Sequence, residues 1–420
     1  MLQGQYPNIY KFEISTPVPK KFPVEKMDQM RNISGLLTAD KILEKLISGL
    51  VVSDMEKTAD QAQFGNQKET SIQHYLIKMI HRILTAVDTN NAKKEVFAVV
   101  ASMIDWNSAF VRQCPKLGIE SFQKNGVRNS LIPILISFFQ DRHQSVKWRG
   151  IITSPKKING GGPQGATLGI LEYLSQSNNS ADCVGLDERF KFVDDLTVLE
   201  IVNLLTIGLS SFNTKQQVPN DMNEENLYIP PENLKSQEYL DKIDSWTNSQ
   251  KMKINSNKTK TMLFNFTNKY QFRTRLKLNN ETIETVDHMK LLGTVISSDL
   301  KWDLNTNIIV KKAYARMELI RKLASFGAPV CDLKQVYITF IRSVCEQSSS
   351  VWHSSLTVQN EQEIQKIAFK IILKENYRSY ENAQIILELD TLKCRRIELC
   401  LAFAKKCLGN KKNESFVSSK

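Results

Sequence analysis

Asp194 and Asp195 stand side by side between the apolar runs FKFV and LTVL. Like charges repel and buried carboxylates lose hydration, so such a pair needs an open turn or a positive partner. A hairpin turn is the plain explanation, because Asp is common there. A third carboxylate adds to the case. VFAVVASMI is apolar, partly β-branched and short for a helix, which predicts a buried strand ending at Asp105. Carboxylates at strand ends suit a hard divalent cation, Mg²⁺ or Mn²⁺, that completes its shell with water and substrate phosphates.

The surrounding pattern is mixed α/β. Apolar residues recur at helical spacing from Glu25 to about Leu50 and from Ile72 to Leu84. A helical stretch then reaches Phe139, QSVKWRGIIT reads as a strand or hairpin arm, and GGGPQGATLG is a Gly-rich turn opening a helix. FKFVDD and LTVLEIV read as two arms folded about the Asp pair. Gly208 to Gln237 is polar, carries Pro219, Pro230 and Pro231, and reads as an inserted loop. Beyond Trp302 the pattern is helical throughout, with Met317, Ile320 and Ala324, then Tyr337, Phe340 and Val344, at three- and four-residue steps. The expected division is residues 1–300 and a helical, basic region over 301–420.

The chain has 420 residues, 41% of them hydrophobic, enough for real cores. Its net charge of +12 points to an acidic partner, most simply nucleic acid. From Lys301 onward there are 20 Lys/Arg against 12 Asp/Glu, so +8 of that charge lies in the last 120 residues. Apolar runs reach only about half the roughly 20 residues of a membrane helix, so no span is expected. The N-terminus lacks the pattern of a secretory signal, and seven scattered cysteines without a C-x-x-C pair suggest reduced thiols. The expectation is an intracellular protein, nuclear or cytoplasmic, with no membrane partner.

Several motifs occur in order: DWNSAF, GGGPQGATLG, FVDD, INSNKTK and KLLGTVISSDLKW. Their order and spacing resemble the palm motifs of reverse transcriptases, particularly those of non-LTR retrotransposons. Upstream, TPVPKK, MRNIS and QFGNQKETS are similar to the fingers motifs, and the helices around VWHSSL and IQKIAFKIIL resemble the thumb and the region after it. The resemblance implies a right-hand polymerase of fingers, palm with antiparallel sheet, and helical thumb, followed by a C-terminal helical region. It also implies RNA-directed DNA polymerase activity: two-metal nucleotidyl transfer with Mg²⁺ or Mn²⁺, dNTP substrates, an RNA template, a DNA primer and an RNA/DNA duplex.

Carried over residue by residue, Asp105 and Asp194 become the principal metal ligands, with Asp195 a weaker or structural contributor. Phe110 matches the aromatic set against the sugar 2′ carbon, where a ring excludes a ribose hydroxyl. Gln164 and Gly165 match the turn beside the incoming nucleotide. Lys20 and Arg31 match triphosphate-gripping positions, and Lys258 matches the cation near the leaving phosphate. The sequence departs from the family at Val111, where a second Asp is usual, and at Asn32, where Pro is usual. The helix after the Gln turn becomes polar early. A catalytically silent nucleic-acid-binding relic is therefore the alternative reading, and an RNA-dependent RNA polymerase a third, opposed by Phe110. The chain starts near the first fingers motif, so an endonuclease would have to act in trans if the element integrates.

Overall fold

The computed structural model describes residues 4–20, 22–92, 97–107, 109–163, 165–203, 228–266, 273–353 and 358–409. Its centre is a five-stranded sheet whose strands lie in the order β14 (Glu284–Thr285), β10 (Lys260–Phe264), β3 (Phe97–Ile104), β8 (Asp195–Asn203), β7 (Arg189–Phe192). β3 pairs antiparallel with β8 along its full length, from Phe97↔Asn203 to Ile104↔Leu196. β7 closes a hairpin onto β8, and β10 flanks β3 on the other side, with β14 at the edge.

β3 has no polar alternation because both of its faces are covered. Val99, Ala101 and Met103 pack against Tyr75, Leu76 and Met79 of α2 (Ile72–Ala92). Ala98, Val100 and Ile104 face a second core containing Tyr173 of α5 (Thr167–Gln176) and Leu240 and Ile243 of α6 (Lys235–Ser249). Two buried glutamates fix these helices by accepting from their free N-terminal amides. Glu44 of α1 (Thr38–Met55) accepts from Leu168 N at 2.9 Å, and Glu200 of β8 accepts from Lys235 N and Ser236 N at 2.8 and 2.7 Å.

A smaller N-terminal sheet runs β2 (Met30–Gly35), β1 (Phe12–Pro19), β4 (His143–Trp148), β5 (Ile151–Ile152), with β6 (Lys156–Lys157) also on β4. β1 is antiparallel to β2 and parallel to β4, while β5 turns back on β4. The helical spacing expected from Glu25 thus holds only from Thr38. Ahead of it, Met30 to Gly35 form the partner strand of β1, because ladder pairing overrides a weak local pattern. The expected helix ending at Phe139 is two, α3 (Pro115–Lys124) and α4 (Ile132–Phe139).

Residues 204–227 of the polar insertion lie outside the described residues; the chain returns at β9 (Tyr228–Ile229), and α6 begins at Lys235, inside the expected loop. Short strands β11 (Arg273–Thr274), β12 (Lys277–Leu278), β13 (Glu281–Thr282), β15 (His288–Leu291) and β16 (Thr294–Ser297) lead out of the sheet region.

From Asp303 the described chain is helical. α7 (Asp303–Ser325), α8 (Val330–Val336), a π-helical turn over Tyr337–Arg342, α9 (Ser343–Glu346), α10 (Ser349–Trp352), α11 (Val358–Leu373), α12 (Tyr380–Leu387) and α13 (Leu392–Leu408) enclose Met317, Tyr337, Trp352 and Phe369. α13 returns to α2, where Phe403 stands 4.6 Å from the His74 ring. All seven cysteines are free, and among the described residues no helix is long and apolar enough to cross a membrane.

Candidate active site

Antiparallel pairing of β3 with β8 brings the C-terminal end of one to the N-terminal end of the other. That places Asp105, one residue past Ile104, beside the Asp194-Asp195 turn. The turn itself spans Val193 and Asp194, with Phe192 opposite Asp195. Val193 adopts φ +57°, a costly conformation for a β-branched residue. Gln63 holds it there: its Oε1 accepts from Val193 N at 3.0 Å and from Gly65 N at 2.9 Å. A Cβ at Gly65 would stand 2.6 Å from Val193, so only glycine lets this loop pass beneath the turn. The motif QFGNQKETS therefore buttresses the aspartate hairpin, a role sequence reasoning did not assign to Gln63 or Gly65.

Asp105 is held from the other side. Its backbone carbonyl accepts from Asn255 N at 2.8 Å and its amide donates to Thr259 Oγ1 at 3.3 Å. Between these anchors, Asn255 accepts from Lys258 N, closing a turn that sets Lys258 Nζ 3.7 Å from Asp105 Oδ2. This is an ion pair too long for a hydrogen bond, and Asp105 Oδ2 has no hydrogen-bond partner.

The three carboxylates act on one another. Burial raises the Asp105 carboxyl, Lys258 opposes the rise, and Asp194 adds to it. Burial, then Asp194 and Asp105, push Asp195 up to about 6. Burial also raises the Asp194 carboxyl, against a backbone hydrogen bond and the pull of Arg31 and Lys258. Three carboxylates raised together form a site short of positive charge. Among the described residues no group of three or more His, Cys, Asp or Glu is disposed to hold a metal ion by itself. Mg²⁺ seldom needs such a group: it is bound through one or two carboxylates and keeps waters and substrate phosphates as its other ligands. The orphaned Asp105 oxygen and the carboxyls raised by burial fit such an open site.

Phe110 is half-buried, its ring 5.2 Å from that of Tyr173. Its carbonyl accepts from Gly162 N at 3.0 Å, which ties the Gly-rich turn to the strand carrying Asp105. Gly165, at φ +121°, lies with its Cβ position 2.9 Å from the Ser34 carbonyl of β2 and so must be glycine. Gln164 lies outside the described residues. Arg31 is exposed on β2 and within electrostatic reach of Asp194; Lys20 is exposed at the end of β1, where its amide donates to the Gln29 carbonyl at 2.8 Å. The structure thus gathers Asp105, Asp194, Asp195 and Lys258, with Arg31 within electrostatic reach of Asp194.

No family model matches this chain. The RNA-directed DNA polymerase from mobile element jockey of Drosophila melanogaster is 25% identical over 350 residues, 79% of this chain and 34% of that protein. The jockey polymerase of Drosophila funebris is 25% identical over 291 residues, 67% of this chain and 28% of the relative. Among solved structures, apo telomerase from Candida tropicalis is 12% identical, with a TM-score of 0.44 and coverage of 100% of this chain and 68% of that one. The chain spans about a third of the length of the curated relatives it matches. In sequence, then, it resembles the RNA-directed DNA polymerases of non-LTR mobile elements.

Proposed function

We propose that this chain is an RNA-directed DNA polymerase of mobile-element origin, adding deoxynucleotides to a DNA primer on an RNA template. The observation that carries the reading is the convergence of Asp105, Asp194 and Asp195 at the ends of two paired strands, with Lys258 beside them. Asp105 and Asp194 would hold divalent ions, Mg²⁺ or Mn²⁺, with Asp195 contributing less. Bound there, the ions would activate the primer 3′-hydroxyl and stabilise the leaving pyrophosphate. Lys258 sits at an exposed turn, from which it can leave Asp105 for a departing phosphate. Arg31 and Lys20 would grip the triphosphate, Gln164 and Gly165 would border the nucleotide, and Phe110, backed by Tyr173, would bar a ribose 2′-hydroxyl.

In this reading residues 1–300 form fingers and palm, and residues 301–420 form the thumb and a C-terminal region that grips the RNA/DNA duplex. The second reading, a silent nucleic-acid-binding relic, draws on Glu172, fully buried behind the site with neither carboxyl oxygen partnered. Primer extension on an RNA template with Mg²⁺ or Mn²⁺ separates the two. Extension with dNTP and little with NTP is expected; template binding without extension under either metal would leave the relic.

A further inference from the structure

A cavity of about 170 Å³ lies between the inner face of the N-terminal sheet and the Gly160–Pro163 turn. Glu13, Ser34, Arg142 and Gln144 form its floor, and Asn32 and Val111 stand at its mouth. Arg142 and Glu13 are each 3% exposed. They form an ion pair that does not close: Nη2 and Oε2 are 3.9 Å apart. Arg142 Nε and Nη2 and Glu13 Oε2 have no hydrogen-bond partner. Both groups are anchored from behind. Arg142 Nη1 donates to the Phe138 carbonyl at 3.3 Å, its guanidinium lies 4.7 Å from the Phe138 ring centre, and Gln144 Nε2 donates to Glu13 Oε1 at 2.7 Å. The floor therefore presents a donor beside an acceptor.

Leaving such groups unmade is costly, so the cavity selects an occupant with an acceptor next to a donor on one edge. Phosphate fails, because Glu13 repels it; an apolar ring fails, because it leaves both groups unpaired. Size narrows the choice further. A cavity of about 150 Å³ takes one benzene ring, so this one takes a single six-membered ring and a purine overfills it. Pyrimidines carry the required edge: O4 beside N3–H in uracil, or N3 beside N4–H in cytosine.

We infer that this cavity is a pocket for one unpaired pyrimidine base of single-stranded nucleic acid, Arg142 donating to the base acceptor and Glu13 accepting from the neighbouring N–H. Asn32 and Val111, the two positions at which the sequence departs from the family it resembles, both line the mouth. The turn that walls the pocket also bonds Phe110 through Gly162 N, so the pocket and the nucleotide site share one segment. Base capture of this kind lies beyond the polymerase reading and does not require it.

The test is photocross-linking of the full chain with 4-thiouridine, supplied as the free monophosphate and as one residue within an otherwise purine oligonucleotide, with adducts mapped by mass spectrometry. The oligonucleotide should cross-link within residues 142–148 or 158–163. Val111→Trp fills the mouth from a position 60% exposed, so it should fold and cut that yield about tenfold or more. Adducts only elsewhere, or a yield unchanged in Val111→Trp, would overturn the pocket and leave it a site for water. Adducts from the monophosphate alone would overturn the single-strand source. Primer extension in the same preparation reports separately on the polymerase reading: a pocket adduct without extension sinks that reading and leaves the pocket standing.

Discussion

The five-stranded sheet and the C-terminal helical region treat buried charge in opposite ways. Around β3 and β8, Asp105, Asp194 and Asp195 are brought together with Lys258 and Arg31 to offset them, and burial raises all three. Among the C-terminal helices, cations that sequence alone leaves facing solvent are absorbed by the structure. Arg395 pairs with Glu346 at 3.3 Å and Glu398 at 2.6 Å, and Arg396, 3% exposed, has its guanidinium 5.9 Å from the Trp352 ring centre. Uncompensated charge marks a site for a ligand, whereas a net charge of +8 in a region says little about how many of its cations are free.

Neutralising the aspartates at the sheet's end tests this contrast most severely. Asp105→Asn or Asp194→Asn should reduce primer extension by roughly a thousandfold or more, as expected when charge stabilisation of the transition state is lost. Template binding, measured by fluorescence anisotropy, should stay within about twofold. Extension at the parent rate in either variant would remove the metal assignment. Phe110→Val should raise incorporation of NTP relative to dNTP by about tenfold to a hundredfold, the scale on which a pocket resolves one small group. Unaltered discrimination would make Phe110 a plain core residue.

Glu172 carries the contrast into stability. Its carboxyl is pushed up to about 8 by burial from an ordinary 4.5, so the folded chain keeps the proton that the unfolded chain gives up. The stability tied to that neutral form is whole below pH 4.5 and is lost as pH rises towards 8. Glu172→Gln should therefore melt several degrees above the parent at about pH 7.5 and close to it at about pH 4. An equal difference at both pH values would show a packing effect instead of a titration.

The smallest effect concerns the C-terminal helices. Lys311 and Lys312 are exposed on α7, so reversing their charge should flatten the salt dependence of duplex binding. The slope of log K against log salt should fall by roughly 0.7 to 0.9 for each phosphate no longer neutralised. Reversing Arg395 and Arg396 as well should leave that slope unchanged and lower the melting temperature, because both are held inside the helical region. A further flattening would mean that the region opens on binding.

Much of the five-stranded sheet was legible in the sequence. Apolar runs bounded by carboxylates marked β3 and the β7–β8 hairpin, because a strand buried on both faces cannot alternate and a charge must sit where it ends. The N-terminal sheet was less legible. β2 was hidden within a helix-like spacing, since six residues decide nothing until a partner strand supplies the ladder. Glu172 reads as an ordinary helix residue, and only its placement against Gly118 of α3 shows that no partner reaches it.

Local order was written into the chain's own residues: strands ending in aspartate, a glycine turn before a helix, and a helical, basic C-terminal region. Which groups meet was decided by tertiary packing alone. Gln63 holds Val193 from 130 residues away, and Asp105 meets Lys258 across 153 residues because β10 lies beside β3 in the sheet. Packing also decided which arginines are free, since burial depends on which helices come together. Periodicity reports the face a residue takes within its own element. The partner on that face is fixed only when contacts between distant elements offset the entropy of closing the chain between them.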